Sequence, residues 1–114
     1  MGQHEQSEAA FRKAIELNPS YAKAHYNLGT LFLKLGDYRE ALEALREAIR
    51  LNPRSSDALY NLAAAYAQLG DKENALQFLK QAIEVNPSLA SEAQQDEDFK
   101  SLHADPDFLA GTQP

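Results

Sequence analysis

Few residues in this chain combine the types and spacings that chemistry needs. Its 114 residues hold three histidines and no cysteine, which rules out disulfides, thiolate metal sites and a cysteine nucleophile. His25 stands alone in "YAKAHYNLG", residues 21–29, with no histidine or carboxylate at ligand spacing on the same helical face. His4 and Glu8 lie one helical turn apart, and "HADPD" at 103–107 gathers nitrogen and oxygen ligands, but such pairs arise by chance in a chain with seventeen carboxylates. Ser20, Ser56 and Ser88 come after a proline and before an apolar stretch, where a hydroxyl caps a helix. No nucleophile–base–orienter set, glycine-rich phosphate loop or zinc pattern can be read. The expectation is therefore no catalytic residue, no metal, no cofactor and no enzyme. What remains is a pair of amides, Asn27 and Asn61, each able to donate and to accept a hydrogen bond.

The elements that position these amides are set by a repeat. "LNP" at 17–19, "LNP" at 51–53 and "VNP" at 85–87 fall 34 residues apart, and Gly2, Gly36 and Gly70 keep the same step. Each unit reads as two helices. Ala24, Leu28, Leu31, Phe32 and Leu35 make one apolar stripe at helical spacing, and Ala41, Leu42, Leu45, Ala48 and Ile49 make the next. Gly36 ends the first helix, Asp37 with Glu40 reads as a capping box opening the second, and Asn52–Pro53 stops it because proline lacks an amide hydrogen.

His25, Leu28, Gly29, Phe32, Ala41, Leu45 and Pro53, then Leu59, Leu62, Ala63, Tyr66, Ala75, Leu79 and Pro87, give a pattern that resembles the tetratricopeptide repeat. Ser7, Phe11, Ala14 and Pro19 match only the second half of a unit. His25 and Leu59 stand where the family usually has tryptophan, so the resemblance implies that His25 packs between the helices of its unit. It also implies an all-α, right-handed α-solenoid of helix-turn-helix repeats ending in a C-terminal capping helix. The expected divisions are a partial repeat at 1–19, full repeats at 20–53 and 54–87, a capping helical segment at 88–103 and an acidic tail at 104–114.

In the family, first helices line a concave groove, and residues at fixed register form rungs along it. The resemblance places Asn27 and Asn61 on one rung, flanked by Lys23 and Asp57, Tyr26 and Tyr60, Thr30 and Ala64, and Lys34 and Gln68. Such amides can grip the backbone of an extended peptide without reading its sequence; the competing role is to bridge neighbouring helices. Some members hold a peptide's terminal carboxylate with a clamp of lysines, arginine and asparagine. Lys23 and Lys34 are present here, but Asp57 and Ala64 occupy positions where positive charge would help, which leaves an extended mixed or basic peptide as the expected ligand.

Composition narrows the partners. The net charge of -6 argues against nucleic acid, and no apolar run reaches the roughly 20 residues that span a bilayer, so a protein or peptide partner without membrane insertion is expected. Absence of cysteine favours a reducing compartment, with the cytoplasm as the expected one. Acid concentrates after Pro87, where Glu92, Asp96, Glu97, Asp98, Asp105 and Asp107 face only Lys100. "DEDFKSL" and "DPDFLAG" resemble each other, so Phe99 and Leu102 are expected to pin a short helix, with Pro106 opening another and fraying from Gly111. Removal of 105–114 is expected to matter little. At the other end, Gly2 aligns with Gly36, so the first unit is read as a second helix without its partner. Phe11, Ala14 and Ile15 would then be free for self-association, and the alternative function is an assembly subunit that forms homo-oligomers through this end.

Overall fold

The computed structural model describes residues 2–113, which form helices and turns with no strand among them. The chain divides into two compact units, Met1–Pro53 and Arg54–Pro114. No helix among the described residues is long and apolar enough to cross a membrane.

The first unit contains α1 (Gln3–Leu17), α2 (Ala22–Leu35) and α3 (Tyr38–Leu51). α2 and α3 form a hairpin closed at Gly36, whose φ of 80° is a left-handed conformation that side chains with a Cβ resist. The Asp37 amide donates back to the Phe32 carbonyl at 2.9 Å, and the Gly36 amide to Leu33 at 3.2 Å, so the last turn of α2 keeps its bonds. Gly2 shares the sequence register of Gly36 but not its conformation: it is extended and opens α1. His25 Nε2 donates to the Pro19 carbonyl at 2.9 Å, tying α2 to the turn before it.

Gly29 sets how closely the hairpin packs. A Cβ there would lie 2.5 Å from Leu45 Cγ and 3.2 Å from the Leu45 amide nitrogen, so the helices would have to separate. Overpacking costs about 1–3 kcal/mol, whereas alanine gains about 1 kcal/mol over glycine in helix propensity. Gly29→Ala is expected to destabilise by up to about 2 kcal/mol in urea unfolding, the overpacking cost less the propensity gain. A stabilised variant would show that the contact is loose.

The second unit contains α4 (Ser56–Gln68), α5 (Lys72–Val85), α6 (Leu89–Gln95), a 3-10 helix (Glu97–Leu102) and α7 (Pro106–Thr112). α4 packs on α5 through a turn at Gly70, again left-handed at φ 81°, and the Tyr66 and Phe78 rings stack with centroids 5.7 Å apart.

The caps differ from the expectation at four positions. Ser55 caps α4 by accepting the Ala58 amide at 3.3 Å, and Ser56 is the first helical residue. Ser20 precedes Tyr21, which holds the N-cap position of α2, and Ser88 stands at its N-cap without a side-chain cap bond. The reason lies in the preceding asparagines: Asn18 and Asn86 side-chain oxygens accept the Ser20 and Ser88 amides at 3.2 and 3.3 Å, closing turns two residues earlier. Asp71 caps α5 through the Asn74 amide, whereas Asp37 makes no side-chain cap bond.

The end of the chain is more ordered than an acidic tail. Two segments repeat one device: Asp96 and Asp105 each cap a short helix, and Phe99 and Phe108 come three residues later, 0% and 1% exposed. Asp105 also pairs with Lys72 at 2.6 Å, which holds its carboxyl below the usual range and raises the Lys72 ammonium. Gly111 lies inside α7, and Thr112 is buried, its hydroxyl donating to the Phe108 carbonyl at 2.9 Å while Gln94 Nε2 donates to both its oxygens. Fraying from Gly111 is thus corrected: the helix runs on because its last residues are bonded to α6. Pro114 lies outside the described residues.

Candidate peptide-binding site

Asn27, Thr30 and Lys34 recur at three- and four-residue steps and share one face of α2. His4, Ser7 and Phe11 do the same on α1. The two faces meet in a cleft of about 300 Å³ lined by these six together with Gln3 and Leu31. Leu31 is buried and Phe11 half-buried, so the cleft has an apolar floor under polar walls. Thr30 Oγ1 donates to the Tyr26 carbonyl at 2.9 Å, which fixes its rotamer. Lys34 is exposed at the end of α2.

The other residues expected on the rungs are placed differently. Lys23 is exposed and Tyr26 half-buried, and neither lines the cleft. In the second unit Asp57 is exposed and Asn61 half-buried, but Ala64 has no exposed surface and cannot touch a ligand. Tyr60 is buried as well: its hydroxyl donates to Asp96 Oδ2 at 2.7 Å and its ring meets Phe99 edge-on at 5.3 Å. Burial, aided by Asp96, pushes the Tyr60 hydroxyl far above its ordinary value, so it stays a proton donor. Gln68 Nε2 donates to Asp98 Oδ1 at 3.2 Å. Burial and the charge of Asp96 raise the Asp98 carboxyl, against the lowering by Gln68. The 3-10 segment and its capping Asp96 thus take up two of the expected binding residues, Tyr60 and Gln68, a correction that comes from contacts 30 and 36 residues apart in sequence.

Of the residues expected to self-associate, Phe11 lines this cleft, Ile15 lines a second one, and Ala14 is half-buried. α1 has no fully buried residue, and Leu17 is 74% exposed. His4 and Ser7 are not among the expected rung residues. Their spacing with Phe11 was the available signal, but no second copy of that face marked it as a rung.

A family model for the tetratricopeptide repeat matches residues 26–90, and a second TPR repeat model matches residues 1–36. The chain is a tetratricopeptide-repeat protein. Its all-α repeat fold is similar to crystal structures of MamA, at TM-scores of 0.79 in two of them and 23% identity, and to an RS-1 ArsTM double mutant of MamA at 0.80 and 23%. These alignments cover 97% of this chain and 66%, 62% and 63% of the others, so the tetratricopeptide-repeat chain spans just under two thirds of their length. None of the curated protein sequences matches it significantly.

Proposed function

We propose that this tetratricopeptide-repeat module binds an extended segment of a partner protein in the cleft between α1 and α2. The observation that carries the reading is the convergence of amide, hydroxyl and ammonium groups from Asn27, Ser7, Thr30 and Lys34 above the apolar floor of Phe11 and Leu31. An extended peptide needs that combination, because its backbone must exchange water for donors and acceptors while an apolar side chain fills the floor. The ligand path lies along α2, since Tyr60, Ala64 and Gln68 are engaged or covered by the chain itself. The role is binding, with no bond made or broken.

Asn27→Ala with Lys34→Ala is expected to weaken a selected peptide by about tenfold or more, since each hydrogen bond is worth roughly 0.5–1.5 kcal/mol. Isothermal titration together with thermal unfolding checks this. Unchanged affinity with a lowered Tm would give Asn27 a structural role and remove the proposal.

A second reading is favoured by α1, whose stripe of Phe11, Ala14 and Ile15 is only partly covered. Two copies pairing through that stripe would bury it. Light scattering across a hundredfold concentration range distinguishes the readings, and a monomer at every concentration excludes the second.

A further inference from the structure

A second cleft of about 300 Å³ lies among α1, α2 and α3 and shares no lining residue with the first. Its floor is apolar: Leu28, Phe32 and Ala44 are buried, and half-buried Ile15 closes one side. The α3 wall is acidic, with Glu40, Glu43 and Glu47 at three- and four-residue steps along one face. Glu47 is bonded to Arg50, which holds its carboxyl below the usual range. Glu40 and Glu43 have no cationic partner among the described residues. On the opposite wall the Arg12 guanidinium lies 5.7 Å from the Phe32 ring centroid while its Nε donates to Glu8 at 2.8 Å. The Phe32 ring therefore already receives one guanidinium, and Glu40 and Glu43 across from it are unanswered.

The repeat supplies an internal control. Thirty-four residues on, Asn74, Gln77 and Gln81 stand where Glu40, Glu43 and Glu47 stand here, so the same helix position in the same fold is built with neutral amides. Packing of this helix does not require three negative charges. The two copies differ in charge on this face and also in the floor, where Phe78 stands for Ala44 and Tyr66 for Phe32.

We propose that this cleft is a docking site for a basic segment of a partner protein, with an arginine against Glu40 and Glu43 and a neighbouring apolar side chain on Ile15, Leu28 and Phe32. Arginine suits the site better than lysine, because a planar guanidinium pairs bidentately with a carboxylate. The site is separate from the α1/α2 cleft, takes a ligand defined by charge, and stands whether or not that cleft binds a peptide.

The probe is a nine-residue peptide alternating arginine and leucine, with one alternating glutamate and leucine as control, titrated into the 15N-labelled chain at 150 mM salt. The arginine peptide is expected to bind, with amide shifts clustered at residues 28–32 and 40–47, and the glutamate peptide is not. Replacing Glu40, Glu43 and Glu47 together by glutamine should weaken binding about tenfold, while replacing the exposed Glu84, Glu92 and Glu97, at equal net charge, should change it less than about twofold. Glu43→Gln alone, at a position where the other copy carries Gln77, should move affinity the same way if the triple variant does not fold. The proposal is overturned if the two triple variants weaken binding equally, if the shifts spread over the acidic stretch 96–107, or if they map to Asn27 and Lys34. Absence of binding to either peptide overturns it as well.

Discussion

Phe99→Ala is expected to lower the free energy of unfolding by about 3–5 kcal/mol, the range for truncating a fully buried phenylalanine. Phe99 is 0% exposed, meets Tyr60 edge-on at 5.3 Å, and lies 6.0 Å from the Phe108 ring. Shrinking it to alanine leaves a void that the surrounding rings cannot close without moving. The loss would also loosen the 3-10 helix, whose Asp96 takes the Tyr60 hydroxyl bond. Urea unfolding tracked by circular dichroism measures the effect. A loss below about 1 kcal/mol would mean that this segment is not docked on α4 in solution.

Deleting residues 105–114 is expected to cost at least about 3 kcal/mol, because burial of Phe108 alone is worth about that much. The deletion also removes the Lys72–Asp105 pair and the bonds that Gln94 makes to Thr112. In the first of these Lys72 is exposed and Asp105 half-buried, so the pair adds little. Phe108→Ala should therefore account for most of the loss, which separates packing from the end as a whole. A deletion variant as stable as the intact chain would restore the acidic-tail reading that the sequence alone favours.

The 34-residue step made the helix pairs legible because every unit repeats its own punctuation. Gly36 and Gly70 fall in left-handed turns, and Asn18, Asn52 and Asn86 end their helices, as glycine and the residue before proline dictate. After Pro87 the step is lost, and the helices beyond it are short. A seven-residue helix such as Pro106–Thr112 is too short to display a periodic stripe, so the burial of Phe108 could not be read even though its likeness to Phe99 could. The assignment of caps to Ser20 and Ser88 missed that asparagine in "NPS" closes the turn with its own side chain.

The candidate site was legible in register and not in access. Spacing alone places Asn27, Thr30 and Lys34 on one face, and they do line one cleft. Spacing says nothing of what covers a face, and Tyr60 and Gln68 are engaged by Asp96 and Asp98, residues far along the chain. Ala64 fails for the same reason: a small residue at an expected rung can be buried without any change in the local pattern. The acidic cleft was missed because Glu40, Glu43 and Glu47 read as a solvated helix face until Phe32 and Leu28 are seen beneath them.

The proposed ligand of the face carrying Asn27 and Lys34 is an extended peptide. Selection of a library of twelve-residue unstructured peptides, run in parallel on the intact chain and on the Asn27→Ala, Lys34→Ala variant, tests it most directly. Peptides enriched on the intact chain are expected to lose about tenfold or more in affinity for the variant while both proteins unfold at the same temperature. Peptides held equally by both proteins, or no enrichment from a chain that instead oligomerises with concentration, would contradict it.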